Sequence, residues 1–477
     1  MHISSRSFGL HRFLIARSVG LAGAAALAGV SLVAAAAFAQ PTGKSPLLPR
    51  PESMRDARPT WHVLTDATVH VSPTETREHA TVVIKDGRIE RVLGAAEPDA
   101  AAVEGCRVWD ATGLHVYAGF IEPFVEVEAP APDRSAPGVH QNPNVVPQRS
   151  ALDGAGLDAE TRKALRSLGF TSAVISPLRG NLRGTAALVS AGDVPGESSA
   201  DRPPVYRDGV YQAASIRSGE AGFRVYPSSQ MGAIALVRQT LLDADHRVAE
   251  VKQGVASESV SCLDALADKS VPLAFDVEHE LESLRASKIG QEFGRPTILI
   301  GSGNEYKRLD AIAADGNPTI IPLKFGRTPQ VESIAKVDEL DLRDLMAWEQ
   351  APTNPRRLDE AGLLVALTSS ELESRKEFVA NLRKAINHGL KEERALAMLT
   401  TNTAKMLGVE SMLGTVEKGK VANLIVADGP IFAKKTRIRD VWVDGERYEL
   451  SAPAPKEIAG TWDYTFGGDP SHDGAIV

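Results

Sequence analysis

The stretch Gly119-Phe120-Ile121-Glu122-Pro123-Phe124-Val125-Glu126 decides the fold of this chain of 477 residues. It follows a run of short strand-like segments that ends in Asp110-Ala111-Thr112-Gly113. Successive side chains of a strand point to opposite faces, so Glu122, Phe124 and Glu126 are predicted to share one face.

Strand patterns flank this stretch on both sides. The Asp86-Gly87 dipeptide separates two apolar runs and is a strong signal for a β-hairpin. A matching set of strand patterns, punctuated by glycines, returns near the end of the chain. The six predicted flanking strands are residues 63–71, 80–84, 89–94, 414–420, 422–429 and 438–445.

Strand and helix patterns alternate between the flanks, which predicts parallel β/α units. A helix is predicted from Glu280 to Phe293 with its cap at Gly294, and another from Arg375 to Leu390. Residues 191–270 give only helical patterns and loops. The predicted strands of this middle region are residues 168–177, 271–275, 297–301, 319–323 and 362–367.

These motifs resemble those of the amidohydrolase superfamily. Its first barrel strand reads Gly-Phe/Leu-Ile-Asp-x-His-x-His, and residues 119–126 are similar to it except at both histidines. Its C-terminal signature, Gly-Ser/Thr-Ile/Val-Glu-x-Gly-Lys-x-Ala-Asp-Leu, is similar to residues 414–424, and its Thr-x-Asn-Pro-Ala-Lys-x-Leu-Gly resembles residues 401–408. Residues 180–189 resemble the imidazolonepropionase-like branch.

The resemblance implies an α/β fold in which a TIM-like (β/α) barrel is inserted into a small β-sandwich formed by N- and C-terminal strands. The expected organisation is a signal peptide at 1–39, a linker at 40–59, sandwich strands at 60–118, the barrel at 119–410, sandwich strands at 411–450, and a tail with one possible strand at 451–477.

The resemblance also implies a catalytic divalent metal, zinc, held by histidines at the C-terminal ends of barrel strands, and a catalytic Asp. The positions that correspond to these groups are replaced here. They are Phe124 and Glu126 on the first strand, Asp276 and Glu278 in place of a His-x-His pair, Ser302 in place of a histidine, and Ser370 in place of the Asp, with Glu371 beside it.

A phenyl ring has no lone pair for zinc, so no metal is expected. The remaining histidines, including His140, His246, His279 and His388, are interpreted as surface or packing residues. Lys324 is interpreted as a surface lysine rather than a carbamylated metal ligand.

The carboxylates at these positions leave two interpretations open. Oxygen ligands from several strands suit calcium, magnesium or manganese. Alternatively, the carboxylates pair with arginines such as Arg183 or Arg285, which replace the ion. The second interpretation is favoured, because like charges that share a cavity are costly without a cation.

The first residues predict export. Arg6, Arg12 and Arg17 precede an apolar run at 18–36, and a small-x-small site at 37–39 predicts cleavage before Gln40. The expected location is periplasmic or secreted, without a membrane anchor after cleavage. The net charge of −8 argues against nucleic acid as a partner, and cleavage removes only arginines among the charged residues. Two cysteines, Cys106 and Cys262, exclude a disulfide scaffold.

The chain is therefore expected to be an exported, catalytically degenerate amidohydrolase, a pseudoenzyme that binds a small molecule, forms a homodimer or pairs with an active relative. The alternative is an active hydrolase of non-peptide C–N bonds in cyclic amides or peptide-like compounds, with a non-standard metal or none.

Overall fold

The computed structural model describes residues 61–95, 106–194, 203–219, 225–326, 328–338, 340–451, 462–464 and 474–476. The predicted signal peptide and linker lie outside the described residues. In the described part the strands are, in chain order, β1 (Trp61–His70), β2 (Thr76–Lys85), β3 (Arg88–Leu93), β4 (Arg107–Asp110), β5 (His115–Ala118), β6 (Phe120–Val127), β7 (Phe170–Pro177), β8 (Leu182–Ser190), β9 (Val205–Ser215), β10 (Leu273–Asp276), β11 (Thr297–Ile300), β12 (Thr319–Pro322), β13 (Val365–Thr368), β14 (Leu424–Ala427), β15 (Ile438–Val443), β16 (Glu446–Glu449), β17 (Trp462–Tyr464) and β18 (Gly474–Ile476).

The α-helices of the same residues occur mainly between barrel strands. They are α1 (Ala159–Ser167), α2 (Gln230–Gln253), α3 (Glu280–Phe293), α4 (Leu309–Asp315), α5 (Ile334–Asp338), α6 (Leu342–Gln350), α7 (Asn354–Glu360), α8 (Phe378–Asn387), α9 (Glu392–Leu399) and α10 (Thr401–Leu407). The predicted helix at 280–293 is observed, and Gly294 ends it in the left-handed conformation with φ 61°. None of these helices is long and apolar enough to cross a bilayer.

The first sheet joins the two ends of the described chain in the order β16-β15-β14-β5-β1-β2-β3, with β4 also paired to β1. The hairpin between β2 and β3 forms as expected, with Asp86 and Gly87 both at positive φ. The link between N- and C-terminal segments is the antiparallel pair β5–β14. Apolar residues from both segments, such as Leu64, Val116 and Trp442, share one core, which agrees with the expected β-rich sandwich.

The second sheet has the order β13-β12-β11-β10-β9-β8-β7-β6 and forms a nearly closed barrel. Seven of its strands run parallel, whereas β8 is antiparallel to both of its neighbours. The barrel interior is filled by apolar side chains, among them Phe124, Leu188, Ile300 and Ile320. The carboxyl ends of the parallel strands therefore meet at one mouth.

Strand β9 corrects the prediction that residues 191–270 contain only helices and loops. Its first half is exposed or partly exposed and includes Arg207, Asp208 and Gly209, and its buried half contains Ala213 and Ala214. Glycine and alanine are poor strand formers, so the pattern resembled a loop next to a helix. Because β9 was not predicted, the sequence analysis lacked one barrel strand and the residues that follow its carboxyl end.

Residues 414–420 are not a strand, contrary to the prediction. Gly414 and Gly419 have φ of 94° and 87°, a region that favours glycine and breaks an extended run. Val416 still reaches the sandwich core and its N–H bonds to the carbonyl of Val71 at 2.8 Å. In the tail, β17 pairs antiparallel with β18, so the described residues there form two strands rather than one.

Candidate functional site

Strand β6 directs its three singled-out side chains to three different environments. Pro123 interrupts the pairing of β6 with β7, and the register shifts between Glu122 and Val125. Glu122 faces β13, Phe124 lies among the apolar side chains of the barrel interior at 1% exposure, and Glu126 reaches the mouth. Of the three side chains predicted to share a strand face, Glu122 thus contacts β13, Phe124 packs in the apolar interior and Glu126 lies at the mouth.

Glu122 joins the two strands at which the barrel sheet ends. Its buried carboxylate accepts hydrogen bonds from the Ser369 N–H at 2.8 Å, the Ser369 hydroxyl at 2.6 Å, and the Thr368 hydroxyl. Burial raises the pKa of Glu122, and these hydrogen bonds oppose the shift. The side chain therefore links β6 to β13, and the contact of Glu122 with Thr368 and Ser369 is called the seam of the barrel.

Ser370, which the sequence resemblance predicts to stand where the family has a catalytic Asp, contributes to the same seam. Its hydroxyl donates to the carbonyl oxygen of Phe124 at 2.5 Å, and its N–H donates to the Thr368 hydroxyl at 3.0 Å. The next residue, Glu371, is exposed and has φ 65°, a conformation that is strained for a non-glycine residue.

Arg183, on β8, connects the mouth carboxylates. Its side chain is 1% exposed. Nη1 donates to Glu126 Oε1 at 2.9 Å, Nη2 donates to Asp276 Oδ2 at 3.1 Å, and Nε donates to the Gly180 carbonyl at 3.1 Å. One buried guanidinium therefore holds carboxylates from β6 and β10, the two strands on which the resemblance predicts metal-ligand positions.

A second arginine, Arg217, extends this network just after β9. It pairs with Asp276, and its Nη1 lies 3.2 Å from Glu278 Oε1. Its Nε donates to the Ser215 hydroxyl at 3.3 Å. Burial raises the pKa of Glu126, Arg183 lowers it, and the charges of Asp276 and Glu371 raise it further.

A cavity of about 520 Å³ opens at this network. Leu178, Ser218 and Gly219 form part of its wall. Its polar and charged lining residues are Glu126, Arg183, Arg217, Gln230, Glu278 and Glu282. Glu282 belongs to α3, where its carboxylate accepts from the Glu278 N–H at 2.7 Å and from the Gln230 side chain.

The structure brings some of the predicted site residues together and separates others. Glu126, Asp276 and Glu278 meet at the mouth through the arginines. Ser302 instead bonds to the buried carboxylate of Glu305, with 2.7 Å between its N–H and Oε1. Arg285, the other arginine considered from sequence, donates to the Gln230 side chain rather than to a mouth carboxylate.

Sequence reasoning missed Arg217, Gln230 and Glu282. Arg217 follows a strand that was not predicted, so its place at the mouth had no signal in the sequence. Gln230 is the first residue of α2 and Glu282 lies in the first turn of α3, and only α3 was predicted from the sequence.

The remaining histidines and Lys324 lie outside this network. His279 is half exposed and lies 3.7 Å from Glu282, on the helix side of the cavity. His246 pairs with Glu250 on α2, the His388 Nδ1 bonds to the Lys384 carbonyl, and the His140 Nδ1 bonds to the Asn142 N–H. Lys324 is exposed. Cys106 and Cys262 are free thiols.

The residues at the predicted ligand positions do not fit a zinc ion. Phe124 offers no donor, and the carboxylates of Glu126 and Asp276 already bind a buried guanidinium, whose positive charge would repel a metal cation. Among the described residues, no group of three or more His, Cys, Asp or Glu side chains is arranged to hold a metal ion.

The fold defines a class of protein, a TIM-like (β/α) barrel joined to a β-rich sandwich. A model of the amidohydrolase family matches residues 261–448. The imidazolonepropionase of Chromobacterium violaceum is 24% identical over 372 residues, which cover 75% of this chain and 87% of that protein. The crystal structure of an amidohydrolase from Thermotoga maritima is 21% identical, covers 82% of this chain and all of its own, and superposes with a TM-score of 0.62.

The chain is thus similar to the amidohydrolase superfamily, and in particular to its imidazolonepropionase-like branch.

Proposed function

We propose that this protein is an exported, catalytically degenerate amidohydrolase that acts as a binding or partner subunit. The observation that carries the proposal is the position of Arg183. A buried guanidinium bridges Glu126 and Asp276, the residues that stand where the family uses histidines. The fixed positive charge of the arginine stabilises both carboxylates without an ion.

Two further observations support the loss of metal-dependent hydrolysis. Phe124 fills the barrel interior, and the Ser370 hydroxyl bonds to the Phe124 carbonyl. A serine cannot take a proton from water as the family's aspartate does, because its hydroxyl is not a base near neutral pH. The ligand set and the base are therefore replaced together.

Metal analysis of the purified protein tests this proposal. We expect far less than one zinc ion per chain, with or without zinc in the growth medium, and no cleavage of amides or cyclic amides. The Chromobacterium violaceum imidazolonepropionase, purified in the same way, is the control. Stoichiometric zinc together with amide cleavage would refute the proposal.

Export and partnership complete the proposal. The basic start and apolar run of residues 1–39 support export to the periplasm or medium, with a mature chain that begins at Gln40. N-terminal sequencing of the exported protein checks this cleavage site. The molecular mass in solution, alone and with an active relative, separates a homodimer from a mixed assembly.

A second candidate function keeps the chain an enzyme. Glu126 lines the cavity at 28% exposure, and burial raises its pKa, which are properties of a proton-transferring group. In this candidate, Glu126 serves hydrolysis of non-peptide C–N bonds in cyclic amides or peptide-like compounds. Glu126→Gln or Asp276→Asn would then abolish a measurable activity in a folded protein. Activity that survives both substitutions rules this candidate out.

A further inference from the structure

The helices α5 and α6, and the residues that lead into α5, expose large apolar side chains. Helix α6 has no buried residue, and the exposed fractions of the apolar side chains in this segment range from 46% to 82%. Grouped exposed apolar side chains mark interaction sites, whereas single scattered ones do not. The exposed apolar residues are called the α5–α6 surface, and they are Val331, Ile334, Val337, Leu342 and Met346.

Helix geometry groups these side chains. Ile334 and Val337 are three residues apart on α5, and Leu342 and Met346 are four apart on α6, so each pair shares one face of its helix. Only three residues separate α5 from α6. Within that connection the Leu340 N–H bonds to the Val337 carbonyl at 3.1 Å. The two apolar faces are therefore joined by a short, hydrogen-bonded turn.

The other side of α6 contacts the body of the protein. The Lys384 ammonium of α8 lies 5.2 Å from the centre of the Trp348 ring, and the Gln350 side chain accepts a hydrogen bond from Arg357 of α7. Leu345 is partly buried on α6. These contacts hold the helix in place, while its apolar outer face is exposed.

Negative charge surrounds the α5–α6 surface. The described side chains of residues 331–350 include five exposed carboxylates and two exposed basic groups. One of the basic groups, Lys336, already pairs with Glu332 at 2.9 Å. The surface thus combines apolar side chains with an excess of acidic ones. The exposed charged residues are Glu332, Asp338, Asp341, Asp344, Glu349, Lys336 and Arg343.

This charge disfavours two classes of occupant. In a two-fold dimer the same patch of each copy meets its counterpart, so the carboxylates of two copies would repel each other. An anionic lipid surface attracts Lys and Arg and would repel an acidic segment. A partner with Lys or Arg next to its apolar side chains matches both the apolar residues and the charge of the surface.

We propose that the α5–α6 surface is a docking site for a protein segment that carries apolar side chains flanked by lysines and arginines. The apolar side chains of the segment pack on Ile334, Leu342 and Met346, and its basic groups pair with Asp344 and Glu349. The proposal specifies the partner role within the proposed function and rests on it. The docking site shares no residue with the mouth network.

Binding of three synthetic peptides to the whole mature protein, measured by isothermal titration, tests the chemistry of the partner. The first peptide places leucine and lysine at helical spacing, the second replaces each lysine with glutamate, and the third replaces each leucine with alanine. We expect the leucine–lysine peptide to bind most tightly and the leucine–glutamate peptide not to bind. Added salt should weaken the binding, because salt screens exposed charges.

Substitutions at exposed positions locate the site. Leu342→Ser and Met346→Ser should each weaken binding of the leucine–lysine peptide by about tenfold, because each removes apolar area from the contact. Asp344→Asn should weaken it by about threefold, the size of one exposed ion pair. The matched control is Leu242→Ser, at an exposed leucine of α2, which should leave the Kd unchanged.

Several results would overturn the proposal. No binding of the leucine–lysine peptide in the millimolar range, equally tight binding of the leucine–glutamate peptide, or an unchanged Kd in the Leu342→Ser, Met346→Ser double variant would each exclude this docking site. A dimer that the double variant dissociates would assign the surface to a second copy. Cosedimentation with vesicles of anionic lipid that the double variant abolishes would assign it to a membrane.

The zinc content and amide cleavage of the same preparation report separately on the proposed function. A zinc-loaded, active protein that binds the leucine–lysine peptide at this surface contradicts the catalytic degeneracy alone. A zinc-free, inactive protein that does not bind the peptide contradicts the docking site alone.

Discussion

Two carboxylates on strand β6, four residues apart, are stabilised in different ways. Glu122 is fully buried and receives neutral donors, which are the hydroxyls of Thr368 and Ser369 and the N–H groups of Ser369 and Phe124. Glu126 is partly exposed and binds the charged guanidinium of Arg183. The seam of the barrel is held by hydrogen bonds, whereas its mouth is held by charge.

This difference separates scaffold from site. Burial raises the pKa of both glutamates. At Glu126 the charge of Arg183 is the main influence that opposes this shift, whereas at Glu122 hydrogen bonds from Ser369 and Thr368 oppose it. A guanidinium in a buried position costs desolvation, and at Arg183 the carboxylates of Glu126 and Asp276 offset that cost. Arg183 therefore supplies the positive charge that stabilises Glu126 and Asp276, whereas hydrogen bonds stabilise the carboxylate of Glu122.

Removal of Arg183 should have the largest effect. Arg183→Met leaves Glu126 and Asp276 without their shared guanidinium, and loss of one partner from a buried pair costs about 3–5 kcal/mol of the free energy of unfolding. Urea denaturation measures the loss. Arg238→Met, at the exposed pair with Glu292, is the matched control and should change stability little. Equal stability of the two variants would mean that the mouth network has no special role.

Restoring one family histidine should also destabilise the protein, without a gain of zinc. Phe124→His removes apolar contacts from the barrel interior and places ring nitrogens among apolar neighbours, which together cost about 2–4 kcal/mol. Phe124→Leu, which stays apolar, should cost about 1 kcal/mol. Thermal denaturation and metal analysis of both variants provide the measurement. A stable Phe124→His protein that binds zinc would contradict the conclusion that the mouth does not fit the metal.

A substitution at the seam should have a smaller effect. Glu122→Gln keeps the shape of the side chain but turns one acceptor into a donor that faces the Thr368 or Ser369 groups. A buried donor left without an acceptor costs about 1–3 kcal/mol. Hydrogen exchange of β6 and β13 amides should rise more than exchange in the sandwich sheet. Uniform protection across both sheets would show that Glu122 does not join the barrel ends.

Local patterns were sufficient for the elements that depend on local chemistry. The Asp86-Gly87 turn, the helix that ends at Gly294, and most barrel strands follow from residues close together in the chain. The replacement of the ligand positions stays a prediction, which rests on the contiguous motif around Phe124.

The contacts that define the site could not be identified from local patterns. Glu122 and Thr368 are 246 residues apart, and Arg183 and Asp276 are 93 apart. Such pairs depend on barrel closure and strand order. The hydrophobic periodicity of a short segment gives no information about either. Arg183 was considered a possible partner of the carboxylates, but Arg217 was not, because the strand that ends before it contains Gly209 and two alanines and was not predicted.

The pH dependence of stability provides the finest comparison between the two kinds of carboxylate environment. The folded-state pKa of Glu126 is raised above 4.5, so the folded protein binds its proton more tightly than the unfolded chain does. The stability that this group contributes is greatest below pH 4.5 and declines as the pH rises through the folded-state pKa. Relative to Glu126→Gln, the wild type should therefore lose stability with rising pH in that window.

Glu292 provides a control of opposite sign. Its hydrogen bond to Arg238 lowers its pKa below 4.5, so its contribution is present above pH 4.5 and is lost as the pH falls through the lowered value. Thermal denaturation of the wild type, Glu126→Gln and Glu292→Gln between acidic and neutral pH should give difference curves with opposite slopes. Parallel curves would mean that Glu126 behaves as an ordinary ion-paired surface glutamate, and that burial at the mouth does not control its charge.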